Sequence, residues 1–229
     1  LGTIVNTMAI ILGSVLGLLL KKGIPERYSN TITQGLGLAV LLVGASMSLQ
    51  TEQVLVVVLS MVLGALTGEL LNIQGGLDRL GWWLEKKVGG ASGELGRGFI
   101  TASLVFCIGA MAIVGAIEDG LNHNPQILFI KALLDGVSSV IFASTMGLGV
   151  LFSAIPVLLY QGTITLLAFV VKDFLGTAVI QEMTATGGLL IMGIAFNMLK
   201  IAEIKVANLL PAIFYAIPLA ILLPKIIPS

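Results

Sequence analysis

The chain has little of what catalytic and metal chemistry usually requires: one cysteine, Cys107, and one histidine, His123. A single thiol excludes an internal disulfide framework and a cysteine-based metal cluster. Its apolar neighbours Phe106 and Ile108 mark it as a small buried hydrophobe. His123 stands in the polar stretch Asn122 to Pro125 with no second histidine, and no cysteine at ligand spacing, so a zinc site is not expected. There is no H-E-x-x-H, no P-loop and no G-x-S-x-G. An intramembrane serine protease would want a histidine at depth and an intramembrane aspartyl protease two aspartates, whereas Asp135 is alone there. The expectation is a protein that is not an enzyme and carries no cofactor. Charge is scarce as well: Asp, Glu, Lys and Arg make up 10% of the residues, twelve of each sign, and the net charge is zero. Nucleic acid, which is bound through a basic surplus, is therefore not an expected partner.

What fills the 229 residues is apolar: 57% are hydrophobic and the mean hydropathy is +1.06. A soluble chain carries roughly a quarter charged residues, so this one cannot cover a water-soluble globule. It reads as an all-α polytopic integral membrane protein, a single transmembrane domain over 1–229. Spanning about 30 Å of hydrocarbon takes roughly 20 apolar residues, and eight such runs appear. They are Thr3 to Leu20, Thr33 to Gln50, Gln53 to Leu71, Gly98 to Glu118, two within the nearly continuous stretch Gln126 to Val171 divided near Gly147 to Gly149, then Met183 to Leu199 and Val206 to Ile227. Pro211, Pro218 and Pro224 are expected to kink the last. Lysines follow the first run rather than precede it, unlike a cleaved signal peptide, so that run is expected to be retained as a span.

Lysine and arginine set the orientation. With both termini outside, the inner loops hold Lys21, Lys22, Arg27, Arg79, Lys86, Lys87, Arg97, Lys200 and Lys205, which is nine of the twelve basic residues. Outside lie Lys172 and Lys225, and Lys131 falls within a span. The long cytoplasmic loop 72–97 contains GGLDRLGWWLEKKVGG, in which Leu77, Leu80, Leu84 and Val88 recur at helical spacing beside Trp82 and Trp83. It reads as an amphipathic helix lying in the membrane interface.

GLGLAVLLVGASMSL at 35–49 and GGLLIMGIAFNML at 187–199 echo one another, with Gly44 matching Gly193 and Ser48 matching Asn197. Matching span two to span seven pairs spans one to three with spans six to eight. That displacement is odd, so it would make an inverted repeat of the kind secondary transporters use. Chance likeness between Leu-, Gly- and Ala-rich segments is the other reading.

Ionisable residues at mid-bilayer cost about 2.5–3.5 kcal/mol on insertion scales and usually face a bundle interior or a water-filled path. Span five holds two, Lys131 and Asp135, four apart and so on one helix face; Ser138, Ser139 and Thr145 extend the polar stripe. At 1.5 Å per residue from Gln126, Asp135 lies about 14 Å deep, near the midplane. Two readings are open: an internal pair that neutralises itself, or a cation ligand at Asp135 with Lys131 as a displaceable counter-charge and the serines as neutral oxygens. Glu118 and Asp119 close span four and would form an acidic outer mouth. Asn6, Gln161 and Asn197 are amides at depth. They either tie helices together or, with a true repeat, face one cavity. Glu182, Thr184 and Thr186 precede Gly187 and Gly188, where a glycine pair could break the helix. Gly13 with Gly17, and Gly64 with Gly68, are spaced for close helix packing.

GTIVNTMAIILGSVLGLLLKKGIPER, TQGLGLAVLLVGASMSL, and GAIEDGL followed by KALLDGVSSVIFASTMGLGV resemble the YqgA/YdfK-like family of bacterial membrane proteins, a family of unknown function. The resemblance covers essentially the whole chain. It implies a multi-pass protein of the prokaryotic cytoplasmic membrane, related to transport, for which a sodium channel or pump has been conjectured. The expectation that follows is a mover of a small cation, or of a polar solute coupled to one, through Asp135. Lipid would be its surroundings and a homodimer is plausible. The rival is a non-transporting assembly factor or signalling protein acting through its basic cytoplasmic loops.

Overall fold

Because lipid offers no hydrogen bonds to the backbone, each apolar run must satisfy its own N–H and C=O groups, and the helix is the way to do so. In a computed structural model, residues 1–21, 26–76, 78–79, 94–107, 110–171 and 175–226 are described. The described residues form helices and turns, with no strand among them. The long helices are α1 (Gly2–Lys21), α2 (Glu26–Ser48), α3 (Val54–Leu71), α4 (Glu94–Cys107), α5 (Ala110–Asn122), α6 (Gln126–Met146), α7 (Ala154–Leu166), α8 (Thr177–Met198) and α9 (Pro211–Ile226). The interfacial helix expected within 72–97 falls largely outside the described residues.

Helix ends follow local chemistry. Asn72 closes α3 in the left-handed conformation, φ 48°, and donates its backbone N–H to the Glu69 carbonyl. Gly147 ends α6 at φ 78°, which a residue without Cβ adopts freely. That places the break between the fifth and sixth spans where the glycines predicted it. The sixth span continues through the short turn Gly149–Phe152 into α7. Other expectations are corrected. The fourth span is two helices, α4 and α5, bent by 58°. The seventh begins at Thr177, which puts Glu182 inside it, and α8 runs unbroken through Gly187 and Gly188. In the eighth, Pro211 opens α9 after a single turn, and α9 continues through Pro218.

The chain divides into two compact units. Unit 1 holds Leu1–Thr33, Leu77–Cys107 and Met111–Val171; unit 2 holds Gln34–Gly76, Ile108–Ala110 and Lys172–Ser229.

In unit 1, α1 and α6 are parallel. Gly2 packs on Leu128 at one end, and Gly17 meets Val140 and Ala143 at the other. Between them a Cβ on Gly13 would collide with Ser139 Oγ and the Gly136 carbonyl, so glycine lets the two backbones close up. α7 lies antiparallel to α1, with Thr3 beside Thr165 and Asn6 beside Gln161. α4 and α5 together run the length of α6 in reverse, from Gly98 on Met146 to Gly115 on Leu128. The pair is therefore one crossing bent in the middle. Parallel α1 and α6 require the same, since α2, α3 and one further crossing must lie between them. Seven described helices are long and apolar enough to span, and the bent pair makes eight.

In unit 2, α2 and α8 cross antiparallel at Gly44 and Gly188, where a Cβ on either would lie within 2.8 Å of the other's carbonyl oxygen. α3 and the eighth span pair antiparallel, Gly64 on Ala212 and Gly68 on Asn208, with a 2.9 Å hydrogen bond between the Thr67 and Tyr215 hydroxyls. Each span of the first triplet thus lies antiparallel to its matched span: one with six in unit 1, two with seven and three with eight in unit 2.

Candidate functional site

Asp135 is the tenth residue of the 21 in α6, at the middle of the helix. Its side chain turns inward because Lys131, Asp135 and Ser139 share the buried face, while Leu133, Leu134 and Val137 are exposed on the outer one. Both carboxylate oxygens take the Lys131 ammonium, Oδ2 at 2.9 Å and Oδ1 at 3.1 Å. The two residues are only 7% and 6% exposed. Desolvating two charges costs several kcal/mol, and their mutual attraction offsets that only with good geometry and further hydrogen bonds.

The further hydrogen bond comes from α1. Asn6 Nδ2 donates to Asp135 Oδ2 at 3.0 Å and to Gln161 Oε1 of α7 at 3.1 Å. Asn6 and Gln161 are both 0% exposed. One polar atom of each has no hydrogen-bond partner among the described residues: Asn6 Oδ1, an acceptor, and Gln161 Nε2, a donor. Buried polar atoms left open cost about 1–3 kcal/mol each, so the centre of unit 1 carries hydrogen-bonding capacity that it does not use. The Cys107 thiol, at the end of α4, lies within electrostatic reach of both Lys131 and Asp135, and Tyr160 on α7 within reach of Cys107. Neither Cys107 nor Tyr160 was singled out for this cluster by the sequence. The one available signal was Tyr160 standing next to Gln161.

The remaining predicted residues are elsewhere. Ser139 is buried where Gly13 crosses and donates to the Gly136 carbonyl at 2.8 Å, so its proton is spent on its own helix. Ser138 is half-buried on α6. Asp119 is only 5% exposed and accepts from the backbone nitrogens of Leu1 and Gly2 at 3.0 and 2.9 Å, capping the start of α1. Glu118 accepts from Asn122 at 3.0 Å. Asn197 belongs to unit 2, where it closes the turn after α8, donating to the Ile204 carbonyl at 2.8 Å and accepting from the Ile204 N–H at 2.7 Å. Asn6 and Gln161 are thus joined in unit 1, while both polar atoms of the Asn197 amide are taken by Ile204 within unit 2.

Unit 2 has its own buried carboxylate. Glu182, 2% exposed, accepts from the Thr51 hydroxyl at 2.6 Å and from the backbone N–H groups of Glu52 and Gln53 at 2.9 and 3.1 Å. These donors open α3, so a carboxylate stands at a helix N-terminus, where the dipole favours it. At the opposite end of α3, Glu69 accepts from Lys205 at 2.9 Å and Asn208 at 2.6 Å. No group of three or more His, Cys, Asp or Glu that could hold a metal occurs among the described residues.

The family described as "Protein of unknown function (DUF554)" matches residues 1–221. The chain belongs to that family. It is 33% identical over 216 residues to "Uncharacterized membrane protein YdfK" of Bacillus subtilis (strain 168), covering 93% of this chain and 92% of the relative. To "Uncharacterized protein YqgA" of Escherichia coli (strain K12) it is 29% identical over 225 residues, 96% of each. No solved structure matches. Membership agrees with the resemblance seen in the sequence, and with the helices it makes this chain a multi-pass membrane protein.

Proposed function

We propose that the chain moves a small cation, or a polar solute coupled to one, across the prokaryotic cytoplasmic membrane, with Asp135 as the intramembrane acidic site. The observation that carries this reading is Asp135 itself: a carboxylate at the middle of a spanning helix, beside two wholly buried amides that each leave one polar atom unused. A pair serving only to neutralise itself has no need of spare donors and acceptors around it. A cation path does, because hydration lost on entering must be replaced. Lys131 holds the carboxylate when no cation is there and yields to one that arrives. The chain performs no covalent chemistry, and both termini lie outside, the side that the distribution of lysine and arginine supports.

The test is tracer uptake of sodium and rubidium into vesicles containing the purified full chain, with Asp135→Asn measured alongside. Uptake of one cation, lowered at least tenfold by the substitution, is the expected result. Uptake equal to that of protein-free vesicles, or unchanged in Asp135→Asn, overturns the reading.

A further inference from the structure

The two amides at the centre of unit 1 are fixed in polarity, and that limits what they can hold. Asn6 Nδ2 has two hydrogens and spends both, one on Asp135 Oδ2 at 3.0 Å and one on Gln161 Oε1 at 3.1 Å. Asp135, paired with the Lys131 ammonium, only accepts. Turning the Asn6 amide over would therefore set oxygen against oxygen. Gln161 is held in the same way, because its oxygen is the atom that meets the Asn6 amino group. What remains is one acceptor, Asn6 Oδ1, and one donor, Gln161 Nε2, both without a hydrogen-bond partner among the described residues. Both side chains are wholly buried.

An acceptor beside a donor suits neither sign of charge. A metal ion would be drawn to the Asn6 oxygen and repelled by the Gln161 amino group, and an anion would meet the reverse. A neutral group that donates and accepts satisfies both. Oxygen and nitrogen of one amide are about 2.2 Å apart, so across the 3.1 Å bond the two open atoms stand no more than about 8 Å from each other. A carboxamide, with the same internal spacing and a hydrogen bond of about 2.9 Å at each end, reaches across that interval. The seam leading to the pair is uncharged as well: one turn toward the start of α1, the Thr3 and Thr165 hydroxyls lie 3.2 Å apart between the same two helices. α1 and α7 belong to matched spans of the repeat suggested by the sequence, and transporter sites lie where repeats meet.

Resting on the transport reading above, we propose that Asn6 Oδ1 and Gln161 Nε2 bind the solute that the cation accompanies, and that this solute carries a neutral carboxamide or urea-type group, its N–H directed to Asn6 and its C=O to Gln161. Asn6 couples the two ligands, with its nitrogen on Asp135 and its oxygen on the solute. A cation arriving at Asp135 acts on the amide that holds the solute, so each ligand changes the affinity for the other by the same factor.

The probe is acetamide, set against three relatives: N,N-dimethylacetamide has no donor, methylammonium has no acceptor, and acetate is charged and has no donor. The full chain in lipid vesicles, 15N-labelled at glutamine side chains, is titrated with each and followed by solid-state NMR and thermal stability. The Gln161 signal is assigned by its loss in Gln161→Met. The expected result is a saturable shift of that signal with acetamide, at the midpoint of the thermal stabilisation and at least about tenfold below the midpoint of any relative, the worth of roughly one buried hydrogen bond. In thermal stability, Gln161→Met raises the acetamide midpoint about tenfold for the same reason, and Asp135→Asn shifts it at least about fivefold through the coupling. A Gln161 signal unmoved by acetamide, moved equally by dimethylacetamide, or showing contact with water alone overturns the proposal. So does an unchanged midpoint in Gln161→Met or Asp135→Asn. Tracer uptake of sodium and rubidium is measured in the same vesicles with and without acetamide, and a rise with acetamide is expected. Uptake that depends on Asp135 but ignores acetamide removes the solute site and leaves the transport reading standing; no uptake in either condition removes both.

Discussion

Asn6 donates an amide hydrogen to the Asp135 carboxylate at 3.0 Å, across 129 positions of sequence. That bond joins the first span to the fifth at the depth where hydrocarbon tolerates polar groups least, and it makes the charge of Asp135 a property of two helices rather than one.

Removing one member of the Lys131 and Asp135 pair strands the other. Lys131→Met or Asp135→Leu alone should destabilise the protein by about 3–5 kcal/mol, as breaking buried pairs does. The double variant Lys131→Met/Asp135→Leu should recover most of that loss, because two apolar residues need no partner. Thermal unfolding of the four proteins in one detergent checks this. Equal losses in the double and single variants would show that the pair is not isolated in its energetics. Cation response should be absent from the double variant whatever its stability.

The α1–α6 crossing should be intolerant of bulk. Gly13→Val places methyl groups where Ser139 and the Gly136 backbone already stand, and overpacking of this kind costs about 1–3 kcal/mol. Gly162→Ala on α7 is the control, since a Cβ there meets nothing within 4 Å. Removing a mid-helix glycine should leave stability unchanged or raise it by roughly 0.5–1 kcal/mol. Melting temperatures that fall alike in both variants would contradict the packing described.

Glu182 should be replaceable by glutamine but not by leucine. Glu182→Gln keeps an acceptor for the N–H groups of Glu52 and Gln53, whereas Glu182→Leu orphans both at about 1–3 kcal/mol each. Hydrogen exchange at those two amides is the measurement. Acceleration in the leucine variant only is expected, and slow exchange in both would remove Glu182 from its capping role.

Asp119 should act on α1. Asp119→Ala should fray the first turn of α1, with a cost near 1 kcal/mol, the usual size of an N-cap loss. Exchange at the amides of residues 2–5 reports it. Cation selectivity should be untouched, which separates a cap from an entrance.

Much of this was legible in composition and spacing. Apolar runs found the spans because lipid imposes a length on them, and the i, i+4 spacing of Lys131 and Asp135 put both on one face. The burial cost of amides singled out Asn6 and Gln161. It did not say which partner Asn197 takes, since depth says only that an amide needs one, and Ile204 lay seven residues away. The bend between α4 and α5 left no trace in hydropathy. Leu104 to Val114 is apolar throughout, and hydropathy records what a residue is rather than which way its backbone turns. Gly187 and Gly188 suggested a break that did not form. In a packed membrane helix, glycine serves a close neighbour as readily as a kink, and here the neighbour is Gly44.

The parallel packing of α1 on α6 also sets an order of events. At roughly 5–20 residues per second of synthesis, α1 is complete for about 6–23 seconds before Asp135 is made. Throughout that interval Asn6, Gly13 and Gly17 face whatever surrounds a newly inserted helix. Unit 1 is therefore assembled by return, its first helix held open until its fifth span arrives to close over it.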